Sequence, residues 1–408
     1  MYNVDEALAH ILSHFERLPT ETVRLEEAFG RVLAQPIYAA HDLPPFPNSA
    51  LDGYAVRAAD VATVPVRLPV SGDIPAGSFP KMRLSPGTAV RIMTGAPLPE
   101  GADAIVPVEQ TDEAPNHFAL NSPLPETVLI RAAVPPGNGV RAAGEDVEAG
   151  ALILTEGRRL RAADIGILAG LGVAQVPVVR RPVVAILSTG DELLPPHLPL
   201  AKGKIHDMNG PALCACVQEL SCLPHFLGIA PDSVEAVYSR LETAQADVIL
   251  STAGVSVGAL DVVKEAVTRR GTLGLWRVNI RPGKPLAFGR FGSVPFFGLP
   301  GNPVSALVTF DVFVRPALLK MLGVSQTDAP HMIAEVAEPM HSDGRRTYAR
   351  VKLRRDSEGR LLAFSTGTQS SGAISSLVNA DGLLIIPEGM TEIPIGAHLP
   401  VRLFNSAL

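Results

Sequence analysis

Three short loops carry small and hydroxyl-bearing residues of the kind that can hold an oxyanion. They span residues 188–192, 251–258 and 298–303, and each follows an apolar stretch typical of a buried strand. Small residues in such turns let backbone N–H groups approach a phosphate. Asp191 and Glu192 cannot bind a phosphate directly, but carboxylates suit a hard divalent cation, most simply Mg²⁺, that bridges to it. The loops therefore predict one site that binds an oxyanion or a phosphate.

Charged and rigid residues near these loops extend the same hypothesis. Asp261 begins the helix after the second loop, and Pro303 fits the first helical turn after the third, where its missing N–H is not needed. Arg277, Arg281 and Lys284 flank the strand before the third loop and can neutralise an oxyanion. Each feature also has a plain alternative: polar turns, a helix N-cap at Asp261, and a solvated basic edge. Because the predicted fold brings all three loops to one edge of a sheet, we favour the anion site.

The elements that must position these loops alternate between strands and helices. The apolar stretches VVAIL, DVIL and VPFF predict strands, and helices are predicted over residues 209–222, 233–245, 262–270 and 303–322. This alternation indicates a doubly wound α/β domain with a parallel sheet. Such sheets bind ligands at the carboxyl ends of their strands. His206 and Asp207 precede the helix for which Asn209 is the predicted N-cap, and they either line the site or belong to a plain loop.

The rest of the chain predicts a helical part and two β modules. Asn3 and Glu6 form a capping-box pattern at the start of an amphipathic helix, and residues 161–173 predict a helix that packs against it. Residues 61–154 show short β-type runs broken by glycine and proline, which indicate an inserted β domain. The predicted domains are a discontinuous helical domain, an inserted β domain, an α/β domain and a C-terminal β domain, at residues 1–37 with 139–176, 38–138, 177–323 and 324–408 respectively.

The length and composition of the chain limit the classes of protein to which it can belong. The chain has 408 residues, more than the roughly 250–300 that one hydrophobic core supports. Its formal net charge of -6 argues against a nucleic-acid partner, which favours a basic face. Three cysteines lie close together in the sequence, which suits a reducing compartment and lacks the fourth ligand of a zinc site. With no signal-peptide pattern and no apolar run of about 20 residues, we expect a cytoplasmic protein without a membrane partner.

Several sequence blocks resemble the molybdopterin molybdenumtransferase family, which includes bacterial MoeA and the E domain of gephyrin. The blocks are PFPNSALDGYAVR, RIMTGAPLPEGADAIVPVE, STGDEL, GVSVG followed by an aspartate, PGKPLAFG and GLPGNPVSAL. They occur in the order that the family shows, and the resemblance covers essentially the whole chain. A match of this extent is much more specific than any single loop.

The resemblance implies an activity and an assembly. The activity is insertion of molybdenum into adenylylated molybdopterin: molybdate enters, the pyrophosphate linkage is cleaved with Mg²⁺ or another divalent ion, and AMP leaves. The implied architecture has the four domains predicted above, with the α/β domain as the molybdopterin-binding domain. The implied assembly is a homodimer whose active site is shared between the β domain of one chain and the α/β domain of the other. A molybdopterin adenylyltransferase that acts upstream is a further implied partner.

The resemblance and the loops together nominate the site residues. The catalytic residues are Asp52, Thr94, Glu192, Asp232 and Asp261. The substrate-binding residues are Ser188, Thr189, Gly190, Gly254, Ser256, Gly258, Arg277, Arg281, Lys284, Pro300, Pro303, Arg350 and Ser371. The metal ligands are Asp191, Glu192 and Asp261.

The chain departs from the family pattern at a few positions. Ala253 stands where the family has a glycine, Ala259 where it often has an acidic residue, and Pro47 where it has an aspartate. None of these changes removes a predicted catalytic carboxylate. Two alternatives are a molybdopterin-binding scaffold without catalysis and an enzyme on the same α/β fold that hydrolyses another nucleotide pyrophosphate. The retained carboxylates and the extent of the match favour the transferase.

Overall fold

The computed structural model describes residues 2–113, 118, 122–252, 259–324 and 331–404, without the side chains of residues 259–261 and 275. The chain divides into two compact units, and each is described by itself. The first unit contains Met1–Gln35, Glu156–Arg161 and Val176–Leu408, and the second contains Pro36–Thr155 and Ala162–Gln175. No helix in the described part of the chain is long and apolar enough to cross a membrane. The limits of the four domains remain a prediction.

A six-stranded sheet forms the centre of the first unit. Across the sheet, its strands are Leu223–Ala230, Val183–Thr189, Val248–Thr252, Val294–Leu299, Pro285–Phe291 and Gly271–Arg277. The first four run parallel to one another, and the last two pair in an antiparallel manner. The helices around it are Asn209–Glu219, Val234–Glu242, Ala259–Thr268, Pro303–Thr309 and Arg315–Met321, with a π-helical segment Phe310–Val314 between the last two. The predicted doubly wound α/β domain is confirmed.

The central strands of this sheet bury side chains on both faces. In the strand Val183–Thr189, Val184 and Ile186 belong to one apolar core, whereas Ala185 and Leu187 belong to another. Successive side chains of a strand point to opposite faces of the sheet. A sheet covered by helices on both faces therefore requires an unbroken apolar run, which is why the sequence VVAIL shows no alternation.

The opening helix Val4–Leu12 packs into the first of these cores. Its predicted capping box is present, because Glu6 N donates to Asn3 Oδ1 at 2.7 Å and the Glu6 carboxylate accepts from Asn3 N. The helix Ala162–Gly170, against which we predicted it to pack, belongs to the second unit, and that packing remains a prediction. An amphipathic pattern identifies the face of a helix that is buried, but not the surface that covers it.

The C-terminal part of the first unit is a closed β-barrel. Its strands are His331–Val336, Arg346–Arg355, Leu361–Ser365, Gly382–Ile386 and His398–Leu403. Each pairs with two others, so that the ring closes between Arg346–Arg355 and Gly382–Ile386. The short strand Ile280–Arg281 adds to Arg346–Arg355 in parallel, and the helix Ser375–Val378 lies between two barrel strands in sequence. Short two-stranded pairs complete the unit: Thr20–Arg24 with Gln175–Val179, Leu193–Leu194 with Ile205–His206, and Met340–His341 with Glu392–Ile393.

The second unit is built mainly from β-structure, as predicted for the inserted domain. Its five-stranded sheet contains, in order, Ala104–Pro107, Gly53–Val56, Ala89–Ile92, Val66–Ile74 and Thr127–Ile130. Two smaller pairs are Asn48–Ser49 with Val140–Arg141 and Ile37–Tyr38 with Leu152–Leu154. Tyr54 and Ala55 are fully buried and belong to different apolar cores, so this sheet is also covered on both faces.

Candidate active site

The carboxyl ends of three parallel strands meet at one edge of the α/β sheet. Ser188 is paired in register with Thr252, and Thr252 is paired with Leu299. The first, second and third predicted loops therefore begin side by side, which confirms their predicted proximity. Ser188, Thr189, Ser251 and Thr252 are all buried at these strand ends.

A cavity of about 400 Å³ opens at this edge, and we call it the edge cavity. The predicted site residues that line it are Thr189, Glu192, Pro300 and Pro303. The other described lining residues are Leu193, Ile205, His206, Asp207, Met208, Asn209, Thr252, Pro285, Gly301 and Asn302. His206 and Asp207 thus line the edge cavity, in agreement with the first of the two interpretations of the sequence. Asn302 and Asn209 were not singled out as site residues, although both lie next to predicted loops or helix starts.

Asp207 is the central buried carboxylate of the edge cavity. Its side chain is 4% exposed and accepts hydrogen bonds from Ser188 Oγ at 2.6 Å, from Asn209 N at 3.0 Å and from Gly210 N at 3.1 Å. The N-cap position of the helix Asn209–Glu219 is Met208, which makes no side-chain cap bond, whereas we predicted Asn209 as the cap. Asp207, one residue earlier, accepts from the first two backbone N–H groups of the helix instead. The Asn209 side chain donates instead to Gly301 O at 2.7 Å and ties the helix to the third loop. Since the Ser188 hydroxyl donates to Asp207, it supports this carboxylate.

An acidic loop lies beside the cavity. Asp191 and Glu192 are exposed, and Asp232 N donates to Asp191 Oδ1 at 3.2 Å. Burial, and then the negative charges of Asp191 and Glu192, raise the pKa of the Asp232 carboxyl above its usual range. Gly190 has a φ of +150°, and a Cβ atom there would lie 2.7 Å from Glu192 Oε2. Glycine at this position therefore leaves room for the Glu192 carboxylate.

The acidic loop has the donor chemistry of a Mg²⁺ site but not a complete cage. Within the described residues, no cluster of three or more histidine, cysteine or carboxylate side chains could hold a metal ion. Mg²⁺ commonly takes one or two carboxylates and fills its remaining positions with water and substrate phosphates. Asp191 and Glu192 fit that requirement. The side chain of Asp261, the third predicted ligand, is not among those that the structure describes. The predicted substrate-binding residues Gly254, Ser256 and Gly258 also lie outside the described residues.

The predicted basic residues do not line the edge cavity. Arg277 and Lys284 are exposed on the turn between Gly271–Arg277 and Pro285–Phe291, where Val278 N donates to Lys284 O at 2.9 Å. Arg281 lines a different cavity, at the start of the C-terminal barrel. The structure therefore places none of these three cations in the lining of the edge cavity, and their role in binding the substrate remains a prediction.

The second cavity has a volume of about 390 Å³ and contains two arginines, so we call it the arginine cavity. Its described lining residues are Arg281, Glu338, Pro339, Met340, His341, Thr347, Ala349, Arg350, Ser365, Gly367, Gln369 and Ile386. Arg350 is only 2% exposed, and its guanidinium donates to Ser376 Oγ and to Ser370 O, both at 3.1 Å. Burial, and then the charge of Arg281, lower the pKa of Arg350 to about 10. A desolvated guanidinium held by neutral partners is a strong site for an oxyanion.

Ser371 connects the third loop with the barrel. Asn302 Nδ2 donates to Ser371 Oγ at 3.1 Å, and Val304 N donates to Ser371 O at 3.1 Å. Asn302 lines the edge cavity, while Ser371 follows Ser370, which contacts Arg350. The predicted residue Ser371 therefore lies between the two cavities.

In the second unit, the predicted residues Asp52 and Thr94 are joined by hydrogen bonds. Asp52 Oδ1 accepts from Thr94 N at 2.7 Å and from Thr94 Oγ1 at 2.9 Å. Both residues are exposed, so the second carboxylate oxygen of Asp52 is available to a ligand. The same unit contains a cavity of about 400 Å³ lined by Leu43, Pro44, Asn48, Arg141, Glu145 and Asp146. The sequence did not indicate the charged residues of this cavity, Arg141, Glu145 and Asp146. The turn at residues 144–146 follows no recognisable strand pattern in the sequence.

The three cysteines are free, and all are at least partly buried. Burial raises the pKa of Cys216 and of Cys222 to about 12, and the thiolate is the reactive form. They carry no part of the candidate site.

Comparisons with known proteins agree with these features. The chain matches three family models: "MoeA N-terminal region (domain I and II)" over residues 2–172, "Probable molybdopterin binding domain" over residues 185–320 and "MoeA C-terminal region (domain IV)" over residues 334–404. Molybdopterin molybdenumtransferase 2 of Mycobacterium tuberculosis is 40% identical over 93% of this chain and 94% of its own length. The molybdopterin molybdenumtransferase of Haemophilus influenzae is 35% identical over the whole of both chains.

A solved structure is similar over the same extent. The molybdopterin biosynthesis MoeA protein of Pyrococcus horikoshii superimposes with a TM-score of 0.81 at 34% identity, covering 100% of both chains. The coverage extends through both units. The chain therefore belongs to the molybdopterin molybdenumtransferase family.

Proposed function

We propose that this transferase of molybdenum cofactor biosynthesis inserts molybdenum, supplied as molybdate, into adenylylated molybdopterin. The pyrophosphate linkage of the substrate is cleaved and AMP is released. The observation that carries the proposal is the pair of cavities in the first unit, one beside an acidic loop and the other containing Arg281 and Arg350. The first suits a substrate that arrives with a divalent cation, and the second suits a small oxyanion.

Mg²⁺ would be held by Asp191 and Glu192, with Asp232 close by and Asp261 as a further predicted ligand. Burial, and then the negative charges of Asp191 and Glu192, raise the pKa of the Asp232 carboxyl, although the Lys204 ammonium also lies at this loop and donates to Asp191 O. A divalent cation would offset that charge. When bound, the ion would neutralise charge on the pyrophosphate.

Molybdate would be attracted by the arginine cavity. Arg350 presents a buried guanidinium, and Arg281 adds a second positive charge that is only loosely compensated by Asp343 at 3.9 Å. Planar guanidinium groups bind tetrahedral oxyanions through two parallel hydrogen bonds. The exposed Arg277 and Lys284 would raise the local concentration of the anion rather than bind it tightly. Ser371 would connect molybdate to the third loop through Asn302.

The chain's polar groups would orient the organic substrate. Thr189 and Gly190 lie at the end of the first strand, and Pro300 and Pro303 make the third loop rigid. Gly254, Ser256 and Gly258 are proposed to complete the phosphate contacts by their backbone N–H groups. Ser188 acts through Asp207, which it supports.

Asp52 and Thr94 are proposed to act on the same substrate from a second copy of the chain, in a homodimer with shared active sites. A complementation experiment tests this arrangement. Asp52→Ala and Glu192→Ala proteins are each expected to be inactive, and mixing them after dissociation should restore up to one intact site in every mixed dimer. If mixing restores no activity while mixed dimers are present, the sites are not shared.

The activity itself is tested with adenylylated molybdopterin, Mg²⁺ and molybdate. We expect AMP release to depend on molybdate and on Mg²⁺, and the product to activate an apo-molybdoenzyme. AMP release at the same rate without molybdate would indicate simple hydrolysis and would contradict insertion. The upstream molybdopterin adenylyltransferase would supply the substrate, and a cytoplasmic location would suit both enzymes.

A further inference from the structure

One strand of the barrel ends just before it would pair with Arg350. The strand Leu361–Ser365 ends opposite Val351, and the chain then gives Arg350 only one backbone bond on that side, from Thr366 N to Arg350 O at 3.1 Å. Arg350 is 2% exposed, and a buried backbone N–H without a partner is destabilising. The N–H of Arg350 therefore needs an acceptor that the strand does not provide.

The side chain of Gln369 takes the place of the missing strand residue. Its Oε1 accepts from Arg350 N at 3.0 Å, and its Nε2 donates to Arg350 O at 3.1 Å. The same exchange of two bonds joins a hydrogen-bonded pair of residues in an antiparallel sheet. Gln369 Nε2 also donates to Ser365 Oγ at 3.2 Å. Because Gln369 lines the arginine cavity, it fixes the backbone of Arg350 directly beside that cavity.

The segment that follows Gln369 holds the guanidinium of the same arginine. Arg350 Nη2 donates to Ser370 O, and Arg350 Nε donates to Ser376 Oγ. Ser376 Oγ donates in turn to Ala373 O at 2.7 Å. All of these partners are uncharged, so they orient the guanidinium without neutralising it. In the part of the chain that the structure describes, Arg350 Nη1 has no hydrogen-bond partner, which leaves it for an oxyanion.

We propose that Gln369 is a positioning residue for oxyanion binding, which acts by holding the backbone from which Arg350 reaches the arginine cavity. The inference rests on the proposed function, in which this cavity attracts molybdate, and deepens it. A guanidinium binds an oxyanion best when its planar fork is fixed, and a displacement of about 1 Å weakens such a site. A carboxamide suits this task because it supplies a donor and an acceptor without a charge.

Equilibrium dialysis of radiolabelled molybdate against the full-length protein tests the proposal. We expect saturable binding to the unmodified protein and about tenfold weaker binding to Gln369→Leu, which loses the bonds to the backbone of Arg350. The KM for molybdate in AMP release should rise by a similar factor, while kcat at saturating molybdate stays within about twofold. A general loss of the fold would not separate KM from kcat in this way.

The matched control is Gln218→Leu, which makes the same substitution at an exposed glutamine of the helix Asn209–Glu219. It should bind molybdate as the unmodified protein does. Unchanged molybdate binding by Gln369→Leu, or an equal loss in Gln218→Leu, would overturn the proposal. A fall in kcat at an unchanged KM would also overturn it.

Gln369→Glu is a second variant that protects the test against misfolding. It keeps the length of the side chain and an acceptor for Arg350 N, but it adds a negative charge that competes with an oxyanion for Arg350. We expect it to bind molybdate at least as weakly as Gln369→Leu, with a melting temperature within about 4 °C of that of the unmodified protein. Normal molybdate binding by a folded Gln369→Glu protein would contradict the proposal.

Arg350→Gln in the same dialysis separates this outcome from that of the proposed function. If Arg350→Gln binds molybdate weakly but Gln369→Leu binds it normally, the cavity attracts molybdate and only the positioning role fails. If Arg350→Gln binds molybdate normally, the molybdate site of the proposed function is wrong, and the positioning role fails with it. If binding depends on both residues but AMP release does not depend on molybdate, the positioning role stands and the insertion activity fails.

Discussion

The edge cavity and the arginine cavity are almost equal in volume, at about 400 and 390 Å³, but they are opposite in charge. The edge cavity lies at the ends of parallel strands and contains Glu192 and Asp207 without a described basic side chain. The arginine cavity lies on the barrel and contains Arg281 and Arg350 beside one carboxylate, Glu338. The difference teaches that a cavity at the ends of parallel strands need not contain the basic side chains that an oxyanion site favours. In the described part of this chain, the buried guanidinium of Arg350 belongs to the barrel instead.

The largest expected effect comes from removing the buried charge of the arginine cavity. In Arg350→Gln we expect molybdate-dependent AMP release to fall at least about 100-fold, because a desolvated guanidinium contributes roughly 3 kcal/mol or more to binding an oxyanion. The measurement is a molybdate titration of the initial rate.

Arg354→Gln is the matched control for this variant, since Arg354 is exposed on the same barrel strand. It should retain full activity. Equal losses in both variants would contradict a specific role of the arginine cavity.

The next effect concerns the stability of the edge cavity. Asp207→Ala removes the acceptor of the first two backbone N–H groups of the helix Asn209–Glu219 and leaves the buried Ser188 hydroxyl without its acceptor. We expect the free energy of unfolding to fall by about 2–4 kcal/mol, as measured by urea denaturation. Ser233→Ala removes a helix cap, whose bond to Ala236 N is longer at 3.4 Å, and should lose about 1 kcal/mol or less. A smaller loss in Asp207→Ala than in Ser233→Ala would contradict the central role of Asp207.

A third variant tests whether the acidic loop binds Mg²⁺. In Gly190→Ala the new Cβ atom would meet the Glu192 carboxylate at 2.7 Å and displace it. We expect the Mg²⁺ concentration for half-maximal activity to rise about tenfold, as for loss of roughly one good ligand contact. Gly203→Ala also has a positive φ, of +76°, but nothing lies within 4 Å of its Cβ position. It should leave the Mg²⁺ requirement unchanged, and a parallel rise in both variants would point to backbone strain alone.

The smallest effect tests the charge of the acidic loop by pH. The pKa of Asp232 is raised in the folded protein, so folding favours its protonated form, and its ionised form is destabilising at neutral pH. Asp232→Asn should therefore raise the melting temperature by about 1 °C or less at pH 7, because the group is exposed and screened. The gain should disappear as the pH falls below the ordinary pKa of 3.8, and Mg²⁺ should reduce it. A gain that is constant across this range would exclude the electrostatic cause.

The sequence by itself determined the sheet and the meeting of its loops. The strands around VVAIL, DVIL and VPFF are recognisable because a sheet covered on both faces needs unbroken apolar runs, and parallel strands must end at one edge. The family resemblance nominated Asp52 and Thr94 separately, and only the structure shows the hydrogen bonds that join them. Family membership was also predictable, because the matching blocks extend along the chain.

Only the tertiary structure decided how charge is distributed among these elements. Arg281 and Arg350 are distant in sequence, and they meet because the short strand Ile280–Arg281 adds to the barrel strand Arg346–Arg355. The pairing of these two strands depends on long-range packing, which the spacing of residues along the sequence does not encode. In the same way, Ser188 donates to Asp207 because the short strand Ile205–His206 pairs with Leu193–Leu194. This pairing brings the chain back to the edge of the sheet. Local pattern specifies strands and their ends, whereas long-range packing selects which side chains share a cavity.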